Sequence, residues 1–137
     1  MLAHGDARWG QLCSALDELI NEPVNGDGWT GGDVFAHFAR WQQHTLDDLR
    51  ALIAGQAPSP VEGDENAINE RWYAEDAALP AEVARERCLR TREELRSLLM
   101  SLSHEQWDRF GRPCSPDING DHYDAHLGAL PAKEPAR

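Results

Sequence analysis

The sequence predicts an all-α fold, a bundle of four main helices. Four segments carry apolar residues at intervals of three and four, the spacing of one helix face. Capping and first-turn signals precede several of these segments, and no segment alternates between apolar and polar residues as a strand would. With 137 residues the chain has the size of one domain, predicted over residues 1–130.

Apolar spacing and a capping box indicate the first two helices. The first is predicted over residues 6–21, before Pro23, with an apolar stripe of Trp9, Leu12, Cys13, Leu16, Leu19 and Ile20. The second is predicted to begin after Thr30, because Thr30 and Asp33 have the spacing of a capping box, and to continue to about Gly55.

The third and fourth helices follow a loop rich in proline and glycine. The third is predicted over residues 64–77, and the fourth begins at Pro80, a residue favoured in the first helical turn. Its apolar positions alternate by four and three, which is the spacing of a bundle seam: Ala84, Cys88, Thr91, Leu95, Leu98 and Leu102.

The C-terminal part is predicted to contain one more short helix. A helical turn is expected near Trp107, and the glycines and prolines of residues 110–120 predict irregular structure. Asn119 or Asp121 then caps a last helix, and residues 131–137 form a disordered tail.

Charge and cysteine content limit the function. The net charge of -11 opposes binding to phosphate backbones, so no nucleic-acid partner is predicted. No targeting or membrane-spanning segment is recognised, which predicts a soluble cytoplasmic protein with no membrane partner. The three cysteines match no disulfide or zinc-knuckle spacing and fit a reducing compartment.

His122 and His126 are the most informative residues, because histidines four apart on a helix point at one spot. Their β-carbons are expected about 5–6 Å apart, within reach of one metal ion. His37 lies on or beside the core-facing stripe of the second helix and is a candidate third ligand. The alternatives are a hydrogen-bonded core residue for His37 and a solvated helix face for the pair. His44 is too far along its helix to share an ion with His37.

The order of four segments resembles the DinB/YfiT-like superfamily, which includes the maleylpyruvate isomerase N-terminal domain. These segments are GWTGGDVFAHFARWQQ, ENAINERWY, a helix with a leucine seam, and GDHYDAHL. The resemblance covers about residues 6–130. It implies an up-down-down-up four-helix bundle with a divalent metal, often zinc or nickel, held by His37, His122 and His126.

The resemblance also implies a class of chemistry. Characterised members include thiol-dependent isomerases and transferases that use mycothiol, bacillithiol or glutathione. We therefore expect a thiol transferase or hydrolase that acts on a small electrophilic molecule, as a homodimer. Asn69, Trp41, Trp72 and Tyr123 are candidate substrate-binding residues, with ordinary packing as their alternative, and no catalytic residue is assigned.

Two features depart from the family pattern. Gly31 and Gly32 occupy the first turn of the second helix, where each costs on the order of 1 kcal/mol of helix propensity, so this end is expected to be mobile or to admit a ligand. The second domain of maleylpyruvate isomerases is not recognised in this sequence, so that particular reaction is not expected. Enzymatic activity therefore stays open against two alternatives, a metal-free small-molecule-binding bundle and a stress-response dimer with a structural metal.

Overall fold

The computed structural model describes residues 2–24 and 26–130. This part of the chain consists of helices and connecting loops and contains no strand. The four long helices are α1 (Ala3–Glu18), α2 (Gly31–Ile53), α3 (Glu65–Asp76) and α4 (Ala81–Ser101). The shorter elements are α5 (His104–Gln106), a π-helical turn (Trp107–Gly111), α6 (Arg112–Cys114) and α7 (Asp121–Ala129). The predicted all-α bundle is confirmed, and the predicted tail lies outside the described residues.

Helix α2 is the central element of the bundle. Its predicted capping box is present: the Thr30 hydroxyl accepts from the Asp33 amide at 3.2 Å, and the Asp33 carboxylate accepts from the Thr30 amide at 2.9 Å. From this start α2 packs most extensively against α4, and it also contacts α1 and α3. Helix α7 packs against α1, which brings the C-terminal part of the chain back to the bundle.

The core fills the space between α1, α2 and α4. Ala84, Cys88, Thr91 and Leu95 of the predicted α4 seam are buried, as expected. The last turn differs, because the fully buried position is Leu99, whereas Leu98 and Leu102 are half-buried. A straight helix drifts from a strict seven-residue repeat, so the buried stripe moves round by one position at the end of α4.

The prediction of irregular structure after Trp107 is wrong for residues 110–114. Ser103 and Gln106 form a second capping box, and the helical path continues through the π-helical turn to Cys114. Gly111 is needed within it, since an added β-carbon would lie 2.7 Å from the Trp107 ring. Pro113 stands in the first turn of α6, the part of a helix where proline is favoured.

The glycine pair at the start of α2 is buried rather than mobile. The Gly31 amide donates to the Leu19 carbonyl, and the Gly32 amide donates to the Ile20 carbonyl, each at 2.9 Å. A β-carbon on Gly31 would lie 2.3 Å from the carbonyl oxygen of Leu16. These glycines therefore allow the backbone of α2 to approach the end of α1, and the expectation of a mobile or ligand-admitting end is wrong.

We expect Gly31→Ala to destabilise the protein by about 1–3 kcal/mol, the usual cost of overpacking, although alanine is the better helix former. Gly10 in α1 is the matched control, because nothing lies within 4 Å of its added β-carbon. Gly10→Ala should stabilise by about 0.5–1 kcal/mol. Urea denaturation of both variants measures the difference, and a stabilised Gly31→Ala variant would refute the close approach.

Candidate metal centre

His37 enters the site from the second turn of α2, one turn after the capping box. Only 9 % of the residue is exposed, because aromatic rings surround it. Trp29 lies edge-on to the imidazole with ring centres 5.5 Å apart, and Trp29 itself stacks on Tyr73 at 4.9 Å. The side chain therefore faces the bundle interior, as the sequence predicts.

His122 and His126 enter from α7, whose position is set by the residue between them. Tyr123 is fully buried, and its hydroxyl accepts from Nε of Arg92 and donates to Oε1 of Gln42, each at 3.2 Å. Burial raises the pKa of the Tyr123 hydroxyl, which keeps it protonated and able to donate. The core thus holds one side of α7, while the two histidines face α2.

The structure brings the three predicted histidines together. One ring nitrogen from each of His37, His122 and His126 lies within 4.8 Å of the other two. The Nε2 atoms of His37 and His122 are 3.2 Å apart, and the ring centres of His37 and His126 are 5.0 Å apart. Phe38 closes one side, with its ring centre 4.6 Å from that of His122 and 4.8 Å from that of His126.

The protonation of this cluster favours metal binding. Burial, followed by the neighbouring His126 and His122, holds the pKa of His37 well below its ordinary value. Burial and then His122 lower the pKa of His126 to about 4, against an opposing effect of Asp27. His37 and His126 are therefore neutral at pH 7, and a neutral imidazole is the form that binds a metal ion.

The donor set fits a divalent transition-metal ion. Zinc binds imidazole nitrogen at about 2.0–2.1 Å, so two ligands of a tetrahedral ion lie about 3.3–3.4 Å apart. The 3.2 Å between the Nε2 atoms of His37 and His122 is close to that spacing. Reactive zinc centres have three protein ligands and an open fourth coordination position, whereas structural zinc sites have four protein ligands. The three imidazoles match the reactive type.

Sequence reasoning missed Asp117, which lies beside the cluster. Its Oδ1 atom is 3.4 Å from Nδ1 of His122, a buried nitrogen that has no aligned hydrogen-bond acceptor among the described residues. The hydroxyl of Thr45 donates to the other oxygen of Asp117. Asp124 is nearer to the two histidines in the sequence, but its carboxylate pairs with Arg8 and His4. Asp117 stands in an irregular loop, where no spacing rule indicates a neighbour of His122.

The four predicted substrate-binding residues lie at different depths. Trp41 lines an open cleft of about 460 Å³ that reaches His122. Asn69 accepts a hydrogen bond of 2.7 Å from the Trp41 indole, and Trp72 lies edge-on to Trp41 at 4.8 Å. Tyr123 lies in the core and away from any opening, with 0 % of the residue exposed.

Comparison with known proteins gives one family. The sequence pattern of the mycothiol maleylpyruvate isomerase N-terminal domain matches residues 2–119, which is most of the chain. The chain belongs to this family. Searches of curated proteins and of solved structures gave no match. The DinB-like resemblance seen in the sequence is thereby confirmed.

The match to the mycothiol maleylpyruvate isomerase N-terminal domain family covers only part of the site. It contains His37 and Asp117 but ends before His122 and His126. The assignment of the last two histidines to the site therefore depends on their positions in the structure.

The helices of residues 2–24 and 26–130 include none with the length and apolar character that a membrane span requires.

We expect the metal-free form of this protein to lose stability as the pH falls from about 6.5 to 4. The folded state keeps His126 neutral down to a pKa of about 4, whereas the unfolded chain takes up the proton near 6.5. The unfolded state then binds more protons, so the free energy of unfolding falls on acidification, by up to about 3 kcal/mol for this residue. The contribution of Asp6, whose pKa Arg96 and Arg92 lower to about 2, is lost only at more acidic pH.

Urea denaturation in the presence of a chelator, repeated at several pH values, measures this effect. His126→Gln is the control, since glutamine cannot titrate and should give a shallower slope. Equal slopes for the two proteins would contradict the low pKa of His126.

Proposed function

We propose that the protein is a metal-dependent enzyme that uses a low-molecular-weight thiol to attack, or water to hydrolyse, a small electrophilic molecule. The supporting observation is the convergence of His37 from α2 with His122 and His126 from α7. One ring nitrogen from each of them lies within 4.8 Å of the other two. Zinc and nickel both suit three imidazole donors. The thiol is mycothiol, bacillithiol or glutathione, and mycothiol is the one in the family's description.

The chemistry follows from the charge of the site. Three neutral imidazoles leave the charge of a bound divalent ion uncompensated, which lowers the pKa of a bound thiol or water. Phe38 packs against the imidazoles of His122 and His126, and Trp29, stacked on Tyr73, lies edge-on to that of His37. We propose that a small molecule reaches the site from the open cleft at His122.

The cleft indicates how a substrate is held. The Trp41 indole forms an apolar wall, and the bond to Asn69 keeps the ring in place. Glu65 and Asp117 add carboxylates, and no lysine or arginine lines the cleft among the described residues. We therefore propose Trp41 as a direct substrate contact and Asn69 as the residue that positions it.

Asp117→Asn is expected to weaken metal binding by about 10–100-fold, the usual effect of removing an outer carboxylate from a ligating histidine. The substitution keeps the shape of the side chain and removes its charge next to Nδ1 of His122. Asp121→Asn is the control, because Asp121 is exposed at the start of α7. Metal titration against a competing chelator measures both, and an unchanged affinity for Asp117→Asn would exclude this role.

The proposed activity is tested by assaying metal-free and reloaded protein together. Protein prepared without a nickel column is stripped with a chelator and then reloaded with zinc or nickel. Consumption of each thiol is followed in the presence of a panel of small electrophiles. Turnover that requires both the metal and the thiol supports the thiol transferase, and turnover without thiol supports the hydrolase.

The rival function is a non-catalytic, dimeric stress-response or small-molecule-binding bundle. Three large apolar side chains are exposed on the described surface and are available for a dimer contact: Ile53, Tyr73 and Met100. In that case chelation lowers the melting temperature, and no thiol chemistry is found in any metal state. Sedimentation analysis of the same samples tests the homodimer.

A further inference from the structure

A second cavity, of about 220 Å³, lies on another side of α2 from the histidines. It is bounded by α2, α4 and the end of α3, and it shares no lining residue with the cleft at His122. Its volume is below the roughly 300–1,000 Å³ of pockets for drug-sized ligands. An occupant would therefore be a small molecule.

Arginines line this cavity although the chain is strongly acidic. Arg40, Arg87 and Arg90 are among its lining residues, in a chain with 24 acidic and 13 basic residues. Arg40 already pairs with Asp76 through Nε and Nη2, at 3.0 and 2.9 Å, and with Glu75 at 3.1 Å. These two carboxylates offset the charge of Arg40, so the positive excess of the lining comes from Arg87 and Arg90.

Arg87 and Arg90 differ from most other arginines of α4. Arg85 pairs with Asp17 at 2.7 Å, and Arg96 pairs with Asp6 at 2.8 Å. Among residues 2–24 and 26–130, no acidic side chain forms an ion pair with Arg87 or Arg90. Their guanidinium donors are thus available to a ligand.

The floor of the cavity is apolar, and most of its side chains are small. Ala36, Ala39 and Ala84 are 8 %, 8 % and 2 % exposed, and Leu79 completes this surface. A larger side chain at any of the three alanines would occupy the space. The cavity therefore combines an apolar floor with unpaired guanidinium groups.

We propose that this cavity binds a small carboxylate with an apolar body, its carboxylate paired with Arg87 and Arg90 and its body on the alanine floor. Guanidinium groups match the planar carboxylate and can bind it through two parallel hydrogen bonds. The apolar floor favours an aromatic or branched aliphatic acid over acetate. This site is independent of the proposed metal centre.

Benzoate is the probe, and benzamide is its neutral counterpart of nearly the same shape. We expect calorimetry to show saturable benzoate binding with a Kd on the order of 1 mM or tighter, and benzamide binding at least about tenfold weaker. Amide NMR shifts on titration should locate to Ala36, Ala39 and Ala84. Binding should persist after chelation and in the His37→Ala variant.

Variants decide whether the arginines hold the probe. The double substitution Arg87→Gln with Arg90→Gln should weaken benzoate binding at least about tenfold. Arg109→Gln is the matched control. Like Arg87 and Arg90, Arg109 is exposed and has no ion pair among the described residues, but it lies outside the cavity. Ala39→Leu should abolish binding by filling the floor.

Three results would overturn the proposal. These are absence of benzoate binding up to about 10 mM in the wild type, equal binding of benzamide, and binding unchanged in the double arginine variant. Shifts confined to the histidine cluster would assign the probe to the metal centre and would also refute the second site.

Discussion

Alanine in place of His37 is expected to leave the protein almost free of metal. His37 is the only one of the three clustered histidines that comes from α2, so its loss leaves two ligands on α7. Removal of an outer partner of a ligand typically costs about 10–100-fold in affinity, so removal of the ligand itself should cost more than about 100-fold. Elemental analysis of protein purified without a nickel column should show about one equivalent of metal in the wild type and almost none in the variant.

His44→Ala is the matched control for this measurement. His44 lies on the same helix and is half-buried, but its imidazole pairs with Asp48 at 3.4 Å and is outside the cluster. The control should keep the metal content of the wild type. His126→Ala should behave like His37→Ala, since both side chains belong to the same cluster.

Two outcomes would contradict the metal site. A wild-type protein that takes up neither zinc nor nickel, even after both are added back, would remove the metalloenzyme hypothesis. An unchanged metal content in His37→Ala would place the metal elsewhere. A circular dichroism spectrum is recorded for the His37→Ala variant as well. A spectrum like that of the wild type would show that the helices of the variant are intact.

Alanine in place of Phe38 is expected to destabilise the protein by about 3–5 kcal/mol and to weaken metal binding as well. The side chain is fully buried, and its ring packs edge-on to Trp9 at 6.2 Å. The same ring contacts His122 and His126 at 4.6 and 4.8 Å between ring centres. The substitution therefore removes both a core side chain and the surface that holds the two imidazoles.

Phe35→Ala separates these two effects. Phe35 is equally buried on the same helix and contacts Trp9, but it makes no ring contact with a histidine in the described part of the chain. Its loss should cost a similar free energy of unfolding, whereas the metal affinity of the folded variant should stay near that of the wild type. Chemical denaturation followed by metal titration measures both quantities.

The two variants have different metal affinities if the ring of Phe38 orients the imidazoles. Equal affinities, at similar stability, would show that Phe38 acts only as a core residue. Phe38→Leu provides a variant that folds more readily, because it replaces the ring by a smaller apolar side chain and leaves less empty volume than alanine.

Local features of the sequence were sufficient to predict the four long helices. The Thr30 and Asp33 capping box and the seam of α4 depend on residues within a few positions of one another, and the structure confirms both apart from the last turn of the seam. The error after Phe110 also has a local cause, since glycine and proline are helix breakers by propensity. Packing of Trp107 against Gly111 overrides that propensity.

The metal centre was predicted only in part. The spacing of His122 and His126 indicates a shared target because one helix turn separates them. His37 was a candidate third ligand from its place on the core-facing stripe, and the resemblance to the family implied it as a ligand. Asp117 could not be predicted, because its approach to His122 depends on the course of an irregular loop. The same applies to Gly31, whose close contact with Leu16 is made between two helices.

By itself the sequence determined that there are four long helices, where α2 begins, which faces are apolar, and which residue types can hold a metal ion. These properties follow from spacing, capping and side-chain chemistry, which act over one or two helical turns. Only the tertiary structure decided that α7 packs with both of its histidines toward His37, and that unpaired arginines gather at a second cavity. Such contacts join residues far apart in the chain, and their geometry depends on the packing of every helix between them.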